Sequence, residues 1–545
     1  MKKQNILLSF LLSINLLVWA QPPVFTHQDT LRGSIGYARQ HWDVTHYNIT
    51  VAPDFNTKNI EGKNTIRFTN NGVHMMQIDL QEPMQIDSVA YQNRSLTYNR
   101  DGNAFFIQLP KSNIVLQKVF TDSITIYFSG KPKEARNAPW DGGWIWKKDN
   151  DGNPWMSVAC QGLGASVWYP CKDSQSDEPN DGASLTIIVP DTLIGAGNGR
   201  MIEEKKLSNQ RKSFTWAVVN PINNYNIVPY IGKYSHWGEI YKGLKGNLTM
   251  DYWVLNYNVE KAKTQFKDAD RMMKAFEYWF GPYPFYEDGY KLVEAPHLGM
   301  EHQSAIAYGN HFKNGYLGKD LSGTGEGLKW DFIIVHESGH EWFGNNITSK
   351  DIADMWIHEG FTNYSETLFT DFYYGTAAGN AYNIGCRKNI RNDVPIIGPY
   401  GVNKEGSGDM YYKASAMIHT IRQIIHNDKK FRAMLNGLNR DFYHQTVTTA
   451  QIESYINHFV KINFSKIFDQ YLTTTQIPIL EYKFENKKLY YRFTNCIEGF
   501  QMRVKLKGSN KWVNAGTQFK YKKWKDQNTL FEIDPNFYIE TKLIQ

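Results

Sequence analysis

The sequence has little cysteine, almost no excess of charge, and no long apolar run beyond its first 20 residues. Four cysteines in 545 residues are too few for a disulfide scaffold. The net charge of +6, from 60 basic and 54 acidic residues, is small, and no basic run is interleaved with aromatics, so nucleic acid is not an expected partner. Flexible linkers and fixed-period repeats are also lacking. At this length we expect about three closely packed domains.

The one long apolar run lies at the N-terminus. Lys2 and Lys3 precede an apolar stretch from Ile6 to Ala20, and a polar Gln21 follows. This pattern predicts a cleavable signal peptide over residues 1–20. A membrane anchor is the alternative, but the run is short for a span and no stop-transfer pattern follows it. We therefore expect a secreted or periplasmic protein without a stable membrane span after cleavage.

The four cysteines leave their chemistry open. Cys160 and Cys171 are candidates for a disulfide between neighbouring strands, whereas Cys386 and Cys496 are expected to be buried thiols. None of them has the spacing of a metal site.

Alternating apolar residues predict strands in two parts of the chain. From residue 47 to 189 the period is two, and turn clusters such as 149–152 separate the runs, so residues 21–234 are predicted to form an antiparallel β domain. The alternation returns after residue 480, which predicts a small β-sandwich-like domain over 475–545.

Between these parts the apolar period lengthens to that of a helix. Ala262, Phe266, Ala269 and Met273 share one helix face, and further helical patterns cover 330–343, 355–374, 411–426 and 452–471. Residues 235–474 are thus predicted to form a mainly helical domain. The predicted fold class is multidomain α+β.

A metal motif lies on one of the predicted helices. His336 and His340 are four residues apart, so both imidazoles lie on one helix face and can bind one zinc ion. Glu337 lies on an adjacent sector, where it can accept a proton from a zinc-bound water. Glu359, on a second predicted helix, offers a carboxylate as third ligand, and its alternative role is an ordinary solvated carboxylate.

These motifs resemble those of the M1-type gluzincin aminopeptidases, relatives of aminopeptidase N and leukotriene A4 hydrolase. The resemblance rests on the stretch His336–Asn345 followed by Trp356–Phe361, and it runs from about residue 47 to the C-terminus. It implies one Zn²⁺ per chain, a thermolysin-like catalytic domain and peptide substrates with a free N-terminus. The large helical C-terminal domain of longer members has no counterpart here.

The resemblance also implies residues that bind the substrate amine. Leu298-Gly299-Met300-Glu301-His302 resembles the family motif GxMEN, which implies that Glu301 binds the amine and that the backbone at Gly299 and Met300 holds the peptide. Leu298 replaces a glycine of that motif and His302 replaces its asparagine. An ordinary strand glutamate is the alternative for Glu301.

Two further roles follow from the same resemblance. Gln161 aligns with a Glu or Gln that contacts the amine, although its loop glycines alone could explain the pattern. Tyr411 begins a stretch similar to the Tyr-x-Lys-Gly motif, with Ala414 in place of glycine, and is implied to stabilise the oxyanion. Tyr412 is the alternative tyrosine.

Between His302 and Trp330 lies a segment longer than expected for the family, with a glycine-rich stretch at 321–327. It is either a tolerated surface insertion, which we favour, or a border of the active-site mouth.

The predicted function is hydrolysis of the N-terminal peptide bond of peptides by a zinc-dependent aminopeptidase. The alternatives are a thermolysin-like endopeptidase and a non-catalytic peptide-binding scaffold. Lipid-epoxide hydrolysis, found in one branch of the family, is disfavoured because that branch ends in a helical domain. The sequence leaves the preferred N-terminal side chain and the oligomeric state open.

Overall fold

The structure is a computed structural model that describes residues 24–72, 74–110, 119–524 and 531–545. The predicted signal peptide lies outside the described residues. The helices are His27–Gly33 (α1), Tyr37–Gln40 (α2), Val259–Gln265 (α3), Lys267–Phe280 (α4), Phe332–Gly339 (α5), Trp356–Tyr374 (α6), Thr376–Cys386 (α7), Tyr412–Ile425 (α8), Asp428–Asp441 (α9), Thr449–Val460 (α10) and Ser465–Thr473 (α11). Among the described residues, no helix is both long and apolar enough to cross a membrane.

The strands fall into three groups along the chain. The first group is Trp42–Asp54 (β1), Asn59–Asn70 (β2), Met75–Asp79 (β3), Gln85–Tyr91 (β4), Arg94–Ser95 (β5), Tyr98–Asp101 (β6), Ala104–Gln108 (β7), Phe120–Gly130 (β8), Gly143–Lys148 (β9), Pro154–Ala159 (β10), Ala183–Pro190 (β11), Ile194–Ala196 (β12), Arg200–Leu207 (β13), Arg211–Val218 (β14) and Tyr230–Gly232 (β15). The second is Tyr234–Gly243 (β16), Gly246–Leu255 (β17), Tyr290–Glu294 (β18), Gly299–Met300 (β19), Ile306–Tyr308 (β20), Ile347–Ser349 (β21) and Gln445–Val447 (β22). The third is Ile479–Glu485 (β23), Lys488–Thr494 (β24), Gln501–Lys505 (β25), Trp512–Gly516 (β26), Lys520–Lys523 (β27) and Glu540–Leu543 (β28).

The described residues of the N-terminal β domain form three sheets. The largest has the strand order β13-β14-β11-β1-β2-β8-β4-β5, and smaller sheets have the orders β12-β15-β10-β9 and β3-β7-β6. Strands β9 and β10 form a hairpin whose tip lies at 149–153, as the turn cluster predicted. The prediction of a purely antiparallel domain was wrong at one place, because β1 and β11 pair in parallel. These two strands are far apart in sequence, so local periodicity carries no information about their relative direction.

The central region combines a five-stranded sheet with the helices α3 to α11. The sheet order is β16-β17-β18-β20-β19, so the short strand β19 lies at its edge. Helix α4 ends at Phe280, and Gly281 follows it as the C-cap with a φ of +95°, which suits glycine. The last predicted helix is two helices, α10 and α11, because Lys461 takes a left-handed conformation after α10. The three-part α+β architecture is confirmed.

The C-terminal β domain packs against the helices. It contains a four-stranded sheet, β27-β24-β23-β28, and the hairpin β25-β26. Its apolar residues, such as Leu480 and Val504, belong to one continuous core with those of the catalytic helices. The helical region and the last domain are therefore stabilised by a shared buried surface.

The cysteines are unpaired thiols. The candidate disulfide between Cys160 and Cys171 is not formed, since both thiols are free and buried. Cys386 is buried as expected, whereas Cys496 is partly exposed. Burial raises the pKa of the Cys171 thiol well above its usual value, so this thiol stays protonated and unreactive.

Candidate metal centre and substrate site

Helix α5 carries the metal motif through the middle of the protein core. Its N-cap is Asp331, whose carboxylate accepts hydrogen bonds from the amides of Ile333 and Ile334. Tyr308 and Gln265 donate to the other oxygen of Asp331 at 2.8 Å each. Apolar residues cover the helix on nearly every side, so α5 is held by burial as well as by its cap.

The three predicted zinc ligands meet in the structure. The Oε2 atom of Glu359, from α6, lies 3.7 Å from His336 Nε2 and 3.4 Å from His340 Nε2. All three side chains are buried, and their ligand atoms lie within 4.8 Å of one another. Tetrahedral zinc with bonds of about 2.0–2.1 Å places its ligand atoms about 3.4 Å apart. The spacing therefore fits a zinc ion with little adjustment.

A second observation supports the fit to a cation. Glu359 Oε2 is buried and has no hydrogen-bond partner, which is costly for a carboxylate oxygen unless a cation binds it. Burial alone would raise the pKa of Glu359, but the neighbouring His340 and His336 hold it well below its usual range. An ionised carboxylate beside two imidazole Nε2 atoms is a ligand set that zinc prefers.

The Nδ1 atoms of His336 and His340 also have hydrogen-bond partners. Glu366 accepts a hydrogen bond from His336 Nδ1 at 2.7 Å. His340 Nδ1 lies 3.1 Å from the carbonyl oxygen of Phe343 and 3.2 Å from the hydroxyl of Thr362. These contacts leave both Nε2 atoms free to face the metal position, and they fix the orientation of both rings.

Glu366 was missed by the sequence analysis. It also accepts from Asn363 Nδ2 at 2.9 Å and from the Tyr382 hydroxyl at 2.7 Å, and it is fully buried. A signal was available, because Glu366 lies seven residues after Glu359, which is two turns along the same face of α6. A carboxylate two turns after a ligand carboxylate on a buried helix face indicates a support for the metal ligands.

Glu337 faces the edge strand of the five-stranded sheet. A Cβ on Gly299 would lie 2.6 Å from Glu337 Oε1 and 3.0 Å from Ile333, so β19 can approach α5 only with glycine at this position. The pKa of Glu337 is raised to about 7. Burial is the largest cause, His336 opposes it, and Glu301 adds to it. Such a carboxyl can accept and return a proton near neutral pH. Met300, next to Gly299, packs into the core of the β domain.

Glu301 lies beside Glu337 and His340, and two hydrogen-bond donors hold its carboxylate. Gln161 Nε2 and the Tyr225 hydroxyl, the latter at 3.0 Å, both donate to Glu301 Oε1. Ligand atoms of Glu301, Glu337 and His340 lie within 4.8 Å of one another. The structure thus brings Gln161 to Glu301 across 140 positions of sequence. Sequence reasoning missed Tyr225, since a single tyrosine among 33 gives no local signal.

Tyr411 lies beside the metal ligand His336. Its ring stacks on that of His336, with the centroids 6.1 Å apart. Burial and the nearby Glu359 and Glu301 raise its pKa well above the usual value, so its hydroxyl remains a hydrogen-bond donor. Tyr412 instead lies near Glu366. Burial is the main cause that raises the pKa of Tyr412, and the Glu366 carboxylate raises it further.

The departures from the family motifs have local explanations. A Cβ on Gly360 of α6 would lie only 2.7 Å from the Ala414 Cβ of α8, so two small residues allow these helices to cross closely. Alanine is therefore tolerated at 414. His302 is fully buried, and its Nδ1 lies 2.5 Å from the Tyr230 hydroxyl, whereas Leu298 packs against the core of the catalytic region.

Comparisons with known proteins agree with this geometry. The model of the peptidase family M1 domain matches residues 265–471. Leukotriene A-4 hydrolase of Xenopus laevis is 22% identical over 453 residues, which cover 77% of this chain and 69% of the relative. The puromycin-sensitive aminopeptidase of Caenorhabditis elegans is 23% identical over 340 residues, covering 60% of this chain and 34% of the relative. A probable aminopeptidase 1 of Sulfurisphaera tokodaii is 20% identical over 482 residues, which cover 86% of this chain and 56% of the relative.

Solved structures show the same fold. A mutant of the M1 zinc metallopeptidase from Deinococcus radiodurans has a TM-score of 0.67 at 17% identity, and covers 81% of this chain and 96% of its own. A mutant of the same enzyme bound to a Tyr-Ser-Ala substrate has a TM-score of 0.65 at 17% identity, and it also covers 81% of this chain and 96% of its own. In ligand geometry, fold and the sequence of residues 265–471, this chain is similar to members of peptidase family M1.

Proposed function

We propose that the protein is a zinc-dependent aminopeptidase that hydrolyses the N-terminal peptide bond of peptides with a free amine. One zinc ion per chain would be held by His336, His340 and Glu359. When bound, zinc supplies Lewis-acid polarisation of the scissile carbonyl and makes water more acidic near neutral pH. The matched family and the aminopeptidases among the relatives support this assignment.

The observation that carries the proposal is a third carboxylate beside the metal centre, that of the buried Glu301. Glu359, Glu337 and Glu301 together carry three negative charges when ionised, and a dication neutralises only two of them. Burial raises the pKa of Glu301, His340 lowers it and the nearby Glu359 raises it, so a cation beside Glu301 favours its ionised form. The ammonium of a peptide N-terminus supplies this last positive charge.

The chain's own residues then divide the chemistry. Glu301 orients the substrate amine through Oε2, because Oε1 already accepts from Gln161 and Tyr225. The carboxylate of Glu337 takes a proton from the attacking water and returns it to the leaving amine. The hydroxyl of Tyr411 donates to the oxyanion of the tetrahedral intermediate.

The same arrangement disfavours a thermolysin-like endopeptidase. In an endopeptidase the chain continues past the position of Glu301, where it would place a neutral amide against a buried carboxylate. A neutral amide supplies no countercharge, so it binds to this carboxylate less strongly than an ammonium does. A non-catalytic scaffold is disfavoured because Glu337 stands beside the ligands with a pKa near neutrality.

The test is the time course of peptide digestion followed by mass spectrometry. Purified protein with one equivalent of zinc should remove residues one by one from the N-terminus of a pentapeptide. Protein treated with a chelator should lose this activity and regain it when zinc is restored. Internal cleavage as the first event would refute the proposal, as would turnover that persists after complete removal of the metal.

We also propose a secreted or periplasmic location and the domain limits 21–234, 235–474 and 475–545. The location is supported by Lys2, Lys3 and the apolar stretch at 6–20. The limits are supported by two observations: β16, the first strand of the catalytic sheet, begins at Tyr234, and α11 ends at Thr473. The N-terminal residue of the purified protein would test the predicted cleavage after Ala20.

A further inference from the structure

The long segment before α5 contains a tight hairpin. Tyr316 and Lys319 exchange two backbone hydrogen bonds, of 2.9 and 3.0 Å, across a two-residue turn. Leu317 and Gly318 form this turn with φ values of +52° and +87°. Such turns favour Asn or Gly, and a leucine there is a strained choice. The Leu317 side chain is nevertheless 37% exposed, so burial in the core does not explain it.

The hairpin is held firmly to the start of the zinc helix. The buried Asn310 donates to the carbonyl oxygens of Lys313 and Gly315 and to the carboxylate of Asp331, the N-cap of α5, at 2.7 to 2.9 Å. Its own oxygen accepts from the Leu317 amide at 2.8 Å. A single buried side chain thus ties the turn to α5, so the hairpin position is fixed relative to the metal ligands.

Tyr316, at the start of the turn, contacts the helix that carries the metal ligands. The ring of Tyr316 packs edge-on against Phe332, with the centroids 5.3 Å apart, and Phe332 stacks on the metal ligand His336 at 5.1 Å. Besides burial, the carboxylate of Glu337 raises the pKa of Tyr316. The glycine-rich stretch downstream packs elsewhere, since a Cβ on Gly385 of α7 would contact Ser322.

The direction of α5 separates this hairpin from the amine site. Phe332, His336 and His340 follow one another at single helical turns, which are about 6 Å apart along the axis. Glu301 groups with His340 and Glu337, at the C-terminal end of α5. Tyr316 contacts Phe332, at the N-terminal end. A peptide with its amine on Glu301 and its scissile carbonyl beside Glu337 therefore continues toward the hairpin.

We infer that Tyr316, supported by Phe332, forms the wall of the subsite for the second residue of the substrate, and that this subsite favours a large apolar or aromatic side chain. The inference rests on the proposed aminopeptidase function and adds a substrate preference to it. The side chains of Tyr316, Leu317 and Leu328, the last packed on Gly315, provide the apolar surface. The nearby carboxylate of Glu337 disfavours an acidic second residue.

The test compares alanyl dipeptide amides that differ only in their second residue. Wild-type, zinc-loaded enzyme should have a kcat/KM for Ala-Phe-NH2 about tenfold higher than for Ala-Ala-NH2, and lower again for Ala-Asp-NH2. Tyr316→Ala should reduce the Phe/Ala ratio to within about twofold, while Tyr316→Phe should keep it. Alaninamide, which has no second residue, should be cleaved equally by all three. Tyr278→Ala, at an exposed ring remote from the hairpin, is the matched control.

Each other result has a definite meaning. A wild-type enzyme without preference for the second residue overturns the inference, as does a loss on Tyr316→Ala that is equal for alaninamide and Ala-Phe-NH2. A changed preference for the first residue, measured with Phe-Ala-NH2, would place the wall on the amine side and also overturn it. If Tyr316→Ala does not fold, Leu317→Gly should lower the Phe/Ala ratio about threefold, and an unchanged ratio would count against the subsite. Failure of the proposed function itself looks different, because then no free-amine substrate is cleaved.

Discussion

Replacement of Glu366 by alanine should weaken zinc binding although Glu366 does not touch the metal. Its carboxylate holds His336 Nδ1 at 2.7 Å and is itself held by Asn363 and Tyr382. Loss of such a support lowers metal affinity about 10- to 100-fold, which is about 1.4 to 2.7 kcal/mol. The expected increase in the zinc dissociation constant lies in this range.

The metal-free protein should also lose stability, for a separate reason. Removal of the carboxylate leaves three buried donors, on His336, Asn363 and Tyr382, without their acceptor. At roughly 1 kcal/mol or more for each unpaired group, the free energy of unfolding should fall by about 3 kcal/mol. Tyr382→Phe removes one donor and keeps the carboxylate on His336, so it should cost about 1 kcal/mol and change zinc affinity far less.

The assay for Glu366→Ala is competition for zinc with a fluorescent chelator of known affinity at pH 7.5. Wild type and Tyr382→Phe serve as references, and urea unfolding of the metal-free proteins gives the stability term. An alanine variant with wild-type zinc affinity, within about twofold, would refute the idea that Glu366 orients His336. Equal loss of affinity in Tyr382→Phe would assign the effect to the wider network instead.

Three other changes test separate parts of the site and the fold. Glu337→Gln should keep its zinc but lower kcat at least about 1000-fold, and substantial residual turnover would refute its role as base. Tyr411→Phe should lower kcat about 100-fold with KM nearly unchanged, so an unaltered kcat would reject it as the oxyanion donor. Glu294 is buried, and burial raises its pKa to about 7 although Leu255 and Asn258 donate to it. The folded state then binds more protons than the unfolded state, whose carboxyl has a pKa of about 4.3, so this group's stabilising contribution falls by up to about 3 kcal/mol as the pH rises from about 4.3 to 7. Urea unfolding at pH 5 and pH 8 should show that loss in wild type relative to Glu294→Gln, and equal pH dependence would contradict it.

The metal ligands could be predicted because their geometry is local. His336 and His340 lie one turn apart, and a helix supplies that spacing without help from the rest of the fold. The strand and helix periods likewise indicated the three-part architecture, since each period follows from burial of one face. The motif singled out Gly299, and the structure gives the physical reason for glycine there, because a Cβ would lie 2.6 Å from Glu337 Oε1.

The remaining features depend on contacts between distant parts of the chain. The parallel pairing of β1 with β11 and the contact of Tyr225 with Glu301 join segments that no local period connects. The break at Lys461 was missed because the apolar pattern continues across it while the backbone does not. Glu366 could have been found from its position two turns after Glu359.

The most direct test of the account is the ratio of kcat/KM for a free tripeptide to that for its N-acetylated form. Ala-Phe-Ala presents an ammonium to Glu301, whereas N-acetyl-Ala-Phe-Ala presents a neutral amide and extra bulk at the same place. A charge-assisted hydrogen bond of about 2–3 kcal/mol corresponds to a ratio of at least about 30, and the added bulk should raise it above about 100. We predict a ratio above 100 for the zinc-loaded protein. A ratio near or below one would contradict the assignment of Glu301 and, with it, the aminopeptidase function.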